Sequence, residues 1–104
     1  MAAERRRDPD SAEQKLADIE AVFAALAHAS RRQILLVLRF RGGEMTAGEI
    51  AERFACSWPT TTRHLRILEG AGLVEVEKRG RERVYRLGRE RLRKVTTRWL
   101  KSFE

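Results

Sequence analysis

The sequence predicts a mainly α-helical fold with one small β-hairpin, in the order helix, helix, helix, helix, hairpin, helix. Two observations predict it. Apolar residues recur at steps of three and four along most of the chain, and between positions 73 and 87 they alternate with polar residues instead. The length of 104 residues fits one domain. We expect residues 1–10, which are polar and carry three adjacent arginines, to be a disordered tail, and residues 11–104 to form the domain.

Capping residues and periodicity predict the first two helices. Ser11 and Gln14 have the spacing of a capping box at the start of the first helix. A narrow apolar stripe follows along this helix at Leu16, Ile19, Phe23 and Leu26. The periodicity resets at residues 28–30, and a second helix is predicted from there to the paired glycines at 42–43, which are typical of a helix end.

Two further helices are predicted in the middle of the chain. Thr46 and Glu49 form a second capping-box pair, which opens a short third helix. Ser57 is the predicted N-cap of a fourth helix, which ends at Gly70 or Gly72. A short helix followed by a tight turn and a second helix is the pattern of a helix-turn-helix motif.

The period of the pattern changes after the fourth helix. Residues 73–78 and 83–87 alternate as strands do, and residues 79–82 form the predicted hairpin turn. A last helix is predicted from about Gly88 to Phe103. Its apolar residues again form a single stripe, which consists of Leu92, Val95, Trp99 and Phe103. The helix-turn-helix followed by a hairpin predicts a winged helix-turn-helix fold.

The positive charge of the chain is concentrated in its C-terminal part. The formal net charge is +7. Residues 1–62 hold 9 basic and 9 acidic residues, whereas residues 63–104 hold 13 basic and 6 acidic ones. This asymmetry indicates a binding surface for an anionic partner such as nucleic acid.

Composition excludes several classes of protein. No apolar run approaches the roughly 18 residues that a membrane span needs, and residues 1–10 lack the apolar core of a secretory signal. One cysteine cannot form an internal disulfide, which fits a reducing cytosol, so we expect a cytoplasmic protein with no membrane partner. The sequence shows no catalytic constellation and too few soft ligands for a structural zinc site, so we expect neither an enzyme nor a cofactor.

The fourth helix carries the candidate DNA-reading surface. At about 100° per residue, Thr61, Leu65 and Leu68 share one face, which we assign to the core. The opposite face fits the major groove of DNA, where arginine pairs with guanine and threonine contacts base edges or thymine methyl groups. The predicted DNA-binding residues of this recognition helix are Ser57, Trp58, Pro59, Thr60, Thr62, Arg63 and Arg66. For Trp58, packing within the protein and contact with DNA remain alternatives.

The hairpin supplies a second candidate DNA contact. Its tip is surrounded by the basic residues Lys78, Arg79, Arg81 and Arg83, which form the predicted wing site. A basic loop of this kind can lie along the adjacent minor groove or the phosphate backbone. We expect Glu75 and Glu77 to pair with nearby arginines.

Three segments resemble the ArsR/SmtB family of bacterial transcriptional repressors. They are residues 26–35 (LAHASRRQIL), 49–51 (EIA) and 62–74 (TRHLRILEGAGLV), and the hairpin ends in a similar way at 84–87 (VYRL). The resemblance extends over about residues 16–103. It implies a homodimer that binds operator DNA, with the matching positions of the fourth helix facing the major groove. It also implies a dimer interface formed by the first and last helices, here Leu16, Ile19, Phe23, Leu92, Val95, Trp99 and Phe103.

The chain departs from the family at the metal-sensing positions. Many members sense metals through two cysteines at the start of the third helix, and the matching positions here are Thr46 and Gly48. Others use aspartate and histidine on the last helix, which offers Glu90 in this chain. We therefore predict no metal site. We expect His64 to hydrogen-bond to the backbone and His28 to cap a helix.

The sequence thus predicts a dimeric repressor that reads an inverted-repeat operator with residues 57–70 and a basic wing. Two alternatives remain: a winged-helix module that binds an acidic protein partner, and a MarR-like regulator that responds to a ligand. Whether an effector exists is open at this point. Nothing in the sequence around Cys56, in the turn before the fourth helix, indicates an activated thiol, and whether Cys56 has a redox role is also open at this point.

Overall fold

The computed structural model describes residues 11–54 and 57–104, and within these ranges the chain forms five helices and a three-stranded sheet. In chain order the elements are α1 (Ala12–Leu26), α2 (Ala29–Phe40), β1 (Glu44–Thr46), α3 (Ala47–Phe54), α4 (Trp58–Gly70), β2 (Val74–Arg79), β3 (Glu82–Leu87) and α5 (Arg89–Lys101). The predicted mainly helical fold with a hairpin between the fourth and fifth helices is confirmed. The predicted tail, residues 1–10, and Cys56 lie outside the described residues.

The predicted capping residues begin their helices. The Oγ of Ser11 accepts a hydrogen bond from the backbone N–H of Gln14 at 3.0 Å. At the start of α3, Thr46 N–H donates to Glu49 Oε1 (2.8 Å) and Glu49 N–H donates to Thr46 Oγ1 (3.1 Å). These reciprocal bonds satisfy two N–H groups that have no partner within the helix.

The C-terminal end of α1 is capped by arginines from the next helix. The last turn of α1 has no basic residue of its own. Arg31 of α2 donates to the carbonyl oxygens of Ala25 (2.7 Å) and Ala24 (3.2 Å), and Arg32 donates to that of Leu26 (2.7 Å). Positive charge at these carbonyls complements the helix dipole. The arginine pair therefore fixes how α1 meets α2, at a bend of 92°.

No single helix in the described part of the chain is long and apolar enough to cross a membrane, although the bent pair of α1 and α2 meets the length and composition criteria jointly.

The sheet contains one strand that the sequence did not predict. Its order is β1-β3-β2, with both neighbouring pairs antiparallel. The extra strand, β1, is three residues long, and only its central residue, Met45, is buried. Such a strand is too short to show alternation in the sequence. Its pairing with β3 is decided by the chain reversal at the two glycines before it, which have positive φ values of 89° and 100°.

The hairpin turn is tighter than the predicted four residues. Arg79 and Glu82 still pair across the ladder, so that only Gly80 and Arg81 lie between the strands. Gly80 has a φ of 60°, a left-handed conformation that two-residue hairpin turns require and that glycine adopts without strain.

The core joins all five helices to the sheet. Fully buried apolar side chains come from α1, α2, α3, α4, the sheet and α5. The largest of them are Leu38, Ile50, Leu65, Leu68, Leu73, Val22, Val74 and Val95.

The prediction that the apolar stripes of α1 and α5 lie wholly at a dimer interface is wrong for part of their residues. Some stripe residues pack in the core of the chain, and the others are exposed. Val95, predicted at the dimer interface, is 1% exposed and belongs to the core of its own chain. Ile19 and Leu92 are partly buried against that core. The other four predicted interface residues remain exposed, namely Leu16, Phe23, Trp99 and Phe103. Both helices therefore use one apolar face internally and present a second face outward.

Two leucines on α2 test the assignment of its inner face. Leu38 is fully buried, whereas Leu36 is 55% exposed. We expect Leu38→Ala to lower the free energy of unfolding by about 2–5 kcal/mol, because it leaves a cavity in the core. The control Leu36→Ala changes it by less than about 0.5 kcal/mol. Urea denaturation followed by circular dichroism measures both, and equal losses would contradict the assignment.

Candidate nucleic-acid interface

The first turn of α4 is held by a hydroxyl pair. The Oγ of Ser57 accepts from Thr60 N–H at 3.3 Å and donates its own proton to Thr60 Oγ1 at 2.9 Å. Pro59 lies in the first turn, where its missing N–H is not needed. These contacts make the start of α4 rigid. The hydroxyl groups of both Ser57 and Thr60 are therefore already engaged in the cap.

The inner face of α4 is anchored in the core as predicted. Thr61, Leu65 and Leu68 are all buried, and α4 packs on α1, α2, α3 and β2. Burial on so many elements fixes the rotation of the helix about its own axis. The identity of the outward residues follows from that rotation.

The outward face of α4 carries the predicted DNA-binding side chains. Trp58 leaves 56% of its surface exposed. Pro59, Thr60, Arg63 and Arg66 are exposed, and Thr62 is half-buried. Neither Arg63 nor Arg66 makes a hydrogen bond or an ion pair with any residue that the structure describes. Both guanidinium groups are therefore free to bind an anionic partner.

His64 differs from the prediction, because its ring contacts side chains and not the backbone. Its Nδ1 lies 3.3 Å from Arg31 Nη1, and its ring centroid lies 4.6 Å from that of His28. Burial lowers the pKa of His64, and the charges of His28, Arg31 and Arg63 lower it further. The sequence could not show this contact, since Arg31 and His64 lie on different helices and are 33 positions apart in the chain.

The prediction for His28 is confirmed. Its Nδ1 accepts from the backbone N–H of Ser30 at 3.2 Å and thereby caps α2.

Three of the four predicted wing residues are free, and the fourth is not. Lys78, Arg81 and Arg83 are exposed and have no ion pair within residues 11–54 and 57–104. Arg79 instead donates to Glu44 Oε2 at 2.8 Å and to Glu77 Oε2 at 3.2 Å. Arg79 is therefore ion-paired in this structure, whereas the sequence predicts a free cation.

The carboxylates that hold Arg79 belong to a network across the three strands. Arg86 on β3 also pairs with Glu44 and Glu77, which lie on β1 and β2. The hydrogen bonds from Arg79 hold the pKa of Glu77 and that of Glu44 below their usual values. The network fastens the base of the wing to the rest of the sheet. The expected pairing of Glu77 is confirmed, whereas Glu75 has no ion pair in the described part of the chain.

Exposed aromatic rings form a continuous surface on α1 and α5, which we term the aromatic face and define as Phe23, Trp99 and Phe103. The ring of Trp99 makes edge contacts with Phe23 at 5.1 Å and with Phe103 at 5.0 Å. Leu16 and Leu100, at 59% and 61% exposure, extend the apolar area along the two helices. An exposed patch of this kind on a small domain is typical of an interface.

An ion pair beside the aromatic face ties α1 to α5. Asp18 accepts from Arg91 at 3.0 Å. Burial acts to raise the pKa of Asp18, but the hydrogen bond from Gln14 and the charge of Arg91 prevail and lower it. Arg91 also donates to the carbonyl oxygen of Ala71 at the end of α4 (3.3 Å), so α5 contacts both neighbouring helices.

Among the described residues, no group of three or more histidine, cysteine, aspartate or glutamate side chains could hold a metal ion. Thr46 and Glu49 are engaged with each other in the α3 cap.

A helix with an anchored inner face and free arginines outside, followed by a basic hairpin, defines a winged helix-turn-helix protein. The comparisons with known proteins agree. A family model described as a helix-turn-helix domain matches residues 26–77. The chain is 42% identical over 66 residues to the transcriptional repressor SdpR of Bacillus subtilis (strain 168), and the alignment covers 64% of this chain and 71% of SdpR.

Two solved structures share the fold. An ArsR-like transcriptional regulator from Rhodococcus sp. RHA1 has a TM-score of 0.73 at 36% identity, covering 85% of this chain and 80% of that one. The homodimeric winged helix-turn-helix DNA-binding domain of a Mycobacterium bovis protein has a TM-score of 0.72 at 28% identity, covering 100% and 92%. The chain belongs to the ArsR family of winged helix-turn-helix transcriptional regulators.

The cap of α4 gives a test of how the recognition helix is held. We expect Ser57→Ala to lower the free energy of unfolding by about 1 kcal/mol, because Thr60 N–H loses its acceptor. Ser57→Asp, which keeps an acceptor at the N-cap, is the matched control and retains the stability. A loss of the same size in both variants, measured by urea denaturation, would show that the cap is not the cause.

Proposed function

We propose that this chain is a homodimeric transcriptional repressor that binds an inverted-repeat operator in double-stranded DNA through α4 and the wing. The observation that supports the proposal most directly is the outward face of α4. There Arg63 and Arg66 stand without partners among the described residues, next to the exposed Trp58. A helix face that serves only solubility needs no such set of unpaired donors.

The chemistry of this face suits base reading. The guanidinium of Arg63 or Arg66 can donate two hydrogen bonds to O6 and N7 of guanine, and the methyl group of Thr62 suits contact with thymine. The exposed ring of Trp58 adds apolar surface of the kind that packs against thymine methyl groups. Lys78, Arg81 and Arg83 of the wing fit the phosphate backbone, which positions the protein without selecting a sequence.

The aromatic face supports the proposed dimer. Phe103 is 72% exposed, and a domain of this size gains stability when it covers such a surface. The similar Mycobacterium bovis domain is homodimeric. A two-fold axis at this face would place two copies of α4 on successive major grooves, about 34 Å apart, and thereby select an inverted repeat.

Repression follows in this proposal from occupancy of a promoter, as the name of the similar repressor SdpR suggests. We propose that release from DNA does not depend on a metal. At the positions where the family often places cysteines, Gly48 has no side chain and the hydroxyl of Thr46 is used in the α3 cap. On α5, Glu90 is paired with Arg93 at 3.9 Å.

The direct test is an electrophoretic mobility shift with DNA from upstream of the protein's own gene, in the presence of excess random DNA. Sequence-specific binding supports the proposal. Binding that random competitor removes completely would contradict it and favour the winged-helix module for acidic protein partners.

Three single arginine variants separate base reading from backbone contact. We expect Arg63→Ala to weaken operator binding by about 1–3 kcal/mol and to relax base preference. Arg81→Ala weakens binding to all DNA sequences by the same factor and lowers the slope of log affinity against log salt concentration by about one. Arg79→Ala is the matched control and leaves that slope unchanged, because Arg79 is held by Glu44 and Glu77. Fluorescence anisotropy over a salt series measures all three, and a lower slope for Arg79→Ala would contradict the structural assignment.

The dimer has a test of its own. We expect Phe103→Glu to shift the protein to a monomer in sedimentation velocity, because a charge replaces the apolar ring at the aromatic face. Because the dimer is lost, the fraction of operator DNA bound at a given protein concentration falls as well. Leu36→Glu, which places the same charge on an exposed position of α2, remains a dimer. A Phe103→Glu protein that still sediments as a dimer would exclude this face as the interface.

A further inference from the structure

We propose that Arg31 is a positioning residue for the recognition helix, that it acts through His64, and that the contact makes DNA binding weaken in acid. The inference rests on the proposed function in one respect, namely that α4 is the element that binds DNA.

One guanidinium group joins two helices at this point. Arg31 donates from Nε to the carbonyl oxygen of Ala25 (2.7 Å) and from Nη2 to that of Ala24 (3.2 Å). Its third nitrogen, Nη1, lies 3.3 Å from Nδ1 of His64 on α4. The last turn of α1 and the middle of the recognition helix are therefore held by the same planar fork, which lysine could not reproduce.

The contact lies next to the outward side chains of α4. His64 is buried, and it lies next in sequence to the exposed Arg63. The core fixes the rotation of α4, and the contact of the His64 ring with Arg31 fixes the position of the turn that carries Arg63. On the other side, Ala24 follows Phe23 of the aromatic face. The fork thus connects the proposed dimer face to the proposed DNA face.

The contact requires a neutral imidazole. Arginine is only a donor, so Nδ1 of His64 must present its lone pair, and the ring proton of the neutral form lies on Nε2. When the ring is protonated, Nδ1 becomes a donor as well. The hydrogen bond is then lost, and two cations face each other.

The surroundings of His64 disfavour its charged form. The charges that act on it are Arg31 and His28 from the start of α2 and Arg63 from its own helix. No carboxylate of α1, α3, β2 or any other described element makes an ion pair or a hydrogen bond with it. Burial, the largest cause, and these charges hold the pKa of His64 below its ordinary value.

The sign of the pH dependence follows from this lowered pKa. The contact stabilises the folded arrangement fully above the pKa of an unfolded histidine, about 6.5. That contribution is lost as the pH falls through the lower pKa of His64 in the fold.

Simple electrostatics predicts the opposite trend. Protonation of a histidine adds positive charge, which by itself strengthens attraction to DNA phosphates. Weaker operator binding in acid is therefore a signature that a merely basic DNA-binding surface does not produce.

The test measures operator affinity by fluorescence anisotropy at constant ionic strength between about pH 8 and about pH 4.5, a range that extends well below the ordinary histidine pKa. The variants are His64→Asn, whose side-chain oxygen can accept from Arg31 but does not titrate, and His28→Asn, which keeps a good N-cap. We expect the wild-type protein to bind roughly fivefold more weakly at the acid end, as for the net loss of one ordinary hydrogen bond. His64→Asn binds like the wild type at the basic end and does not weaken in acid, whereas His28→Asn keeps most of the wild-type dependence.

A wild-type affinity that is constant or rises in acid overturns the inference, and so does an equal loss in His64→Asn. A measurement without DNA keeps this outcome separate from the proposed function. We expect the pKa of His64, followed by NMR of the ring protons, to rise in Arg31→Gln, because one of the charges that lower it is removed. An unchanged pKa overturns the inference as well. If the pKa of His64 rises in Arg31→Gln but no protein binds DNA sequence-specifically even at about pH 8, the contact between Arg31 and His64 is supported and the proposed function is contradicted.

Discussion

The burial of one face of α4 is the interaction on which the rest of the structure depends. Leu65 and Leu68 are enclosed by three helices and a strand, which fixes the rotation of the helix. Because the inner face is committed to the core, the outward face can hold unpaired arginines in one orientation. A surface loop with the same residues would lose much of its binding free energy to ordering.

The wing is ordered by a different force. Its base is held by the ion-pair network of Glu44, Glu77, Arg79 and Arg86 across three strands. Each pair is exposed and contributes little by itself. Together they join β1, which lies before the helix-turn-helix, to the hairpin that follows it. The network thereby fixes the position of the wing relative to the recognition helix, which the proposed contact of both elements with DNA requires.

The first helix has two roles that compete for its surface. Val22 and Ala25 complete the core, while Leu16 and Phe23 face outward with the aromatic rings of α5. Its C-terminal carbonyl groups accept from Arg31, which also reaches His64 on the recognition helix. The proposed dimer face and the proposed DNA-reading helix are therefore joined at the junction of α1 and α2.

The sequence by itself determined what depends on neighbours along the chain. The helix starts at Ser11, Thr46 and Ser57 follow from hydrogen bonds within four residues, and the inner face of α4 follows from helical periodicity. The tertiary structure alone decided the contacts between distant residues. Strand β1 forms because β3 supplies its hydrogen-bonding partners. Tertiary packing also brings the backbone at Gly88 so close to the carbonyl oxygen of Gly72 that a side chain at position 88 would collide with it.

The same reason explains the errors at the candidate site. Arg79 reads as a free cation in the sequence because Glu44 is 35 positions away, and Val95 reads as an interface residue because it lies on the same helical stripe as Trp99 and Phe103. Periodicity places a residue on a face of its helix, but only the assembled helices decide which face meets the core. The outward residues of α4 were predictable because α4 has one apolar face, and the contact of Arg31 with His64 was not, because no local pattern encodes it.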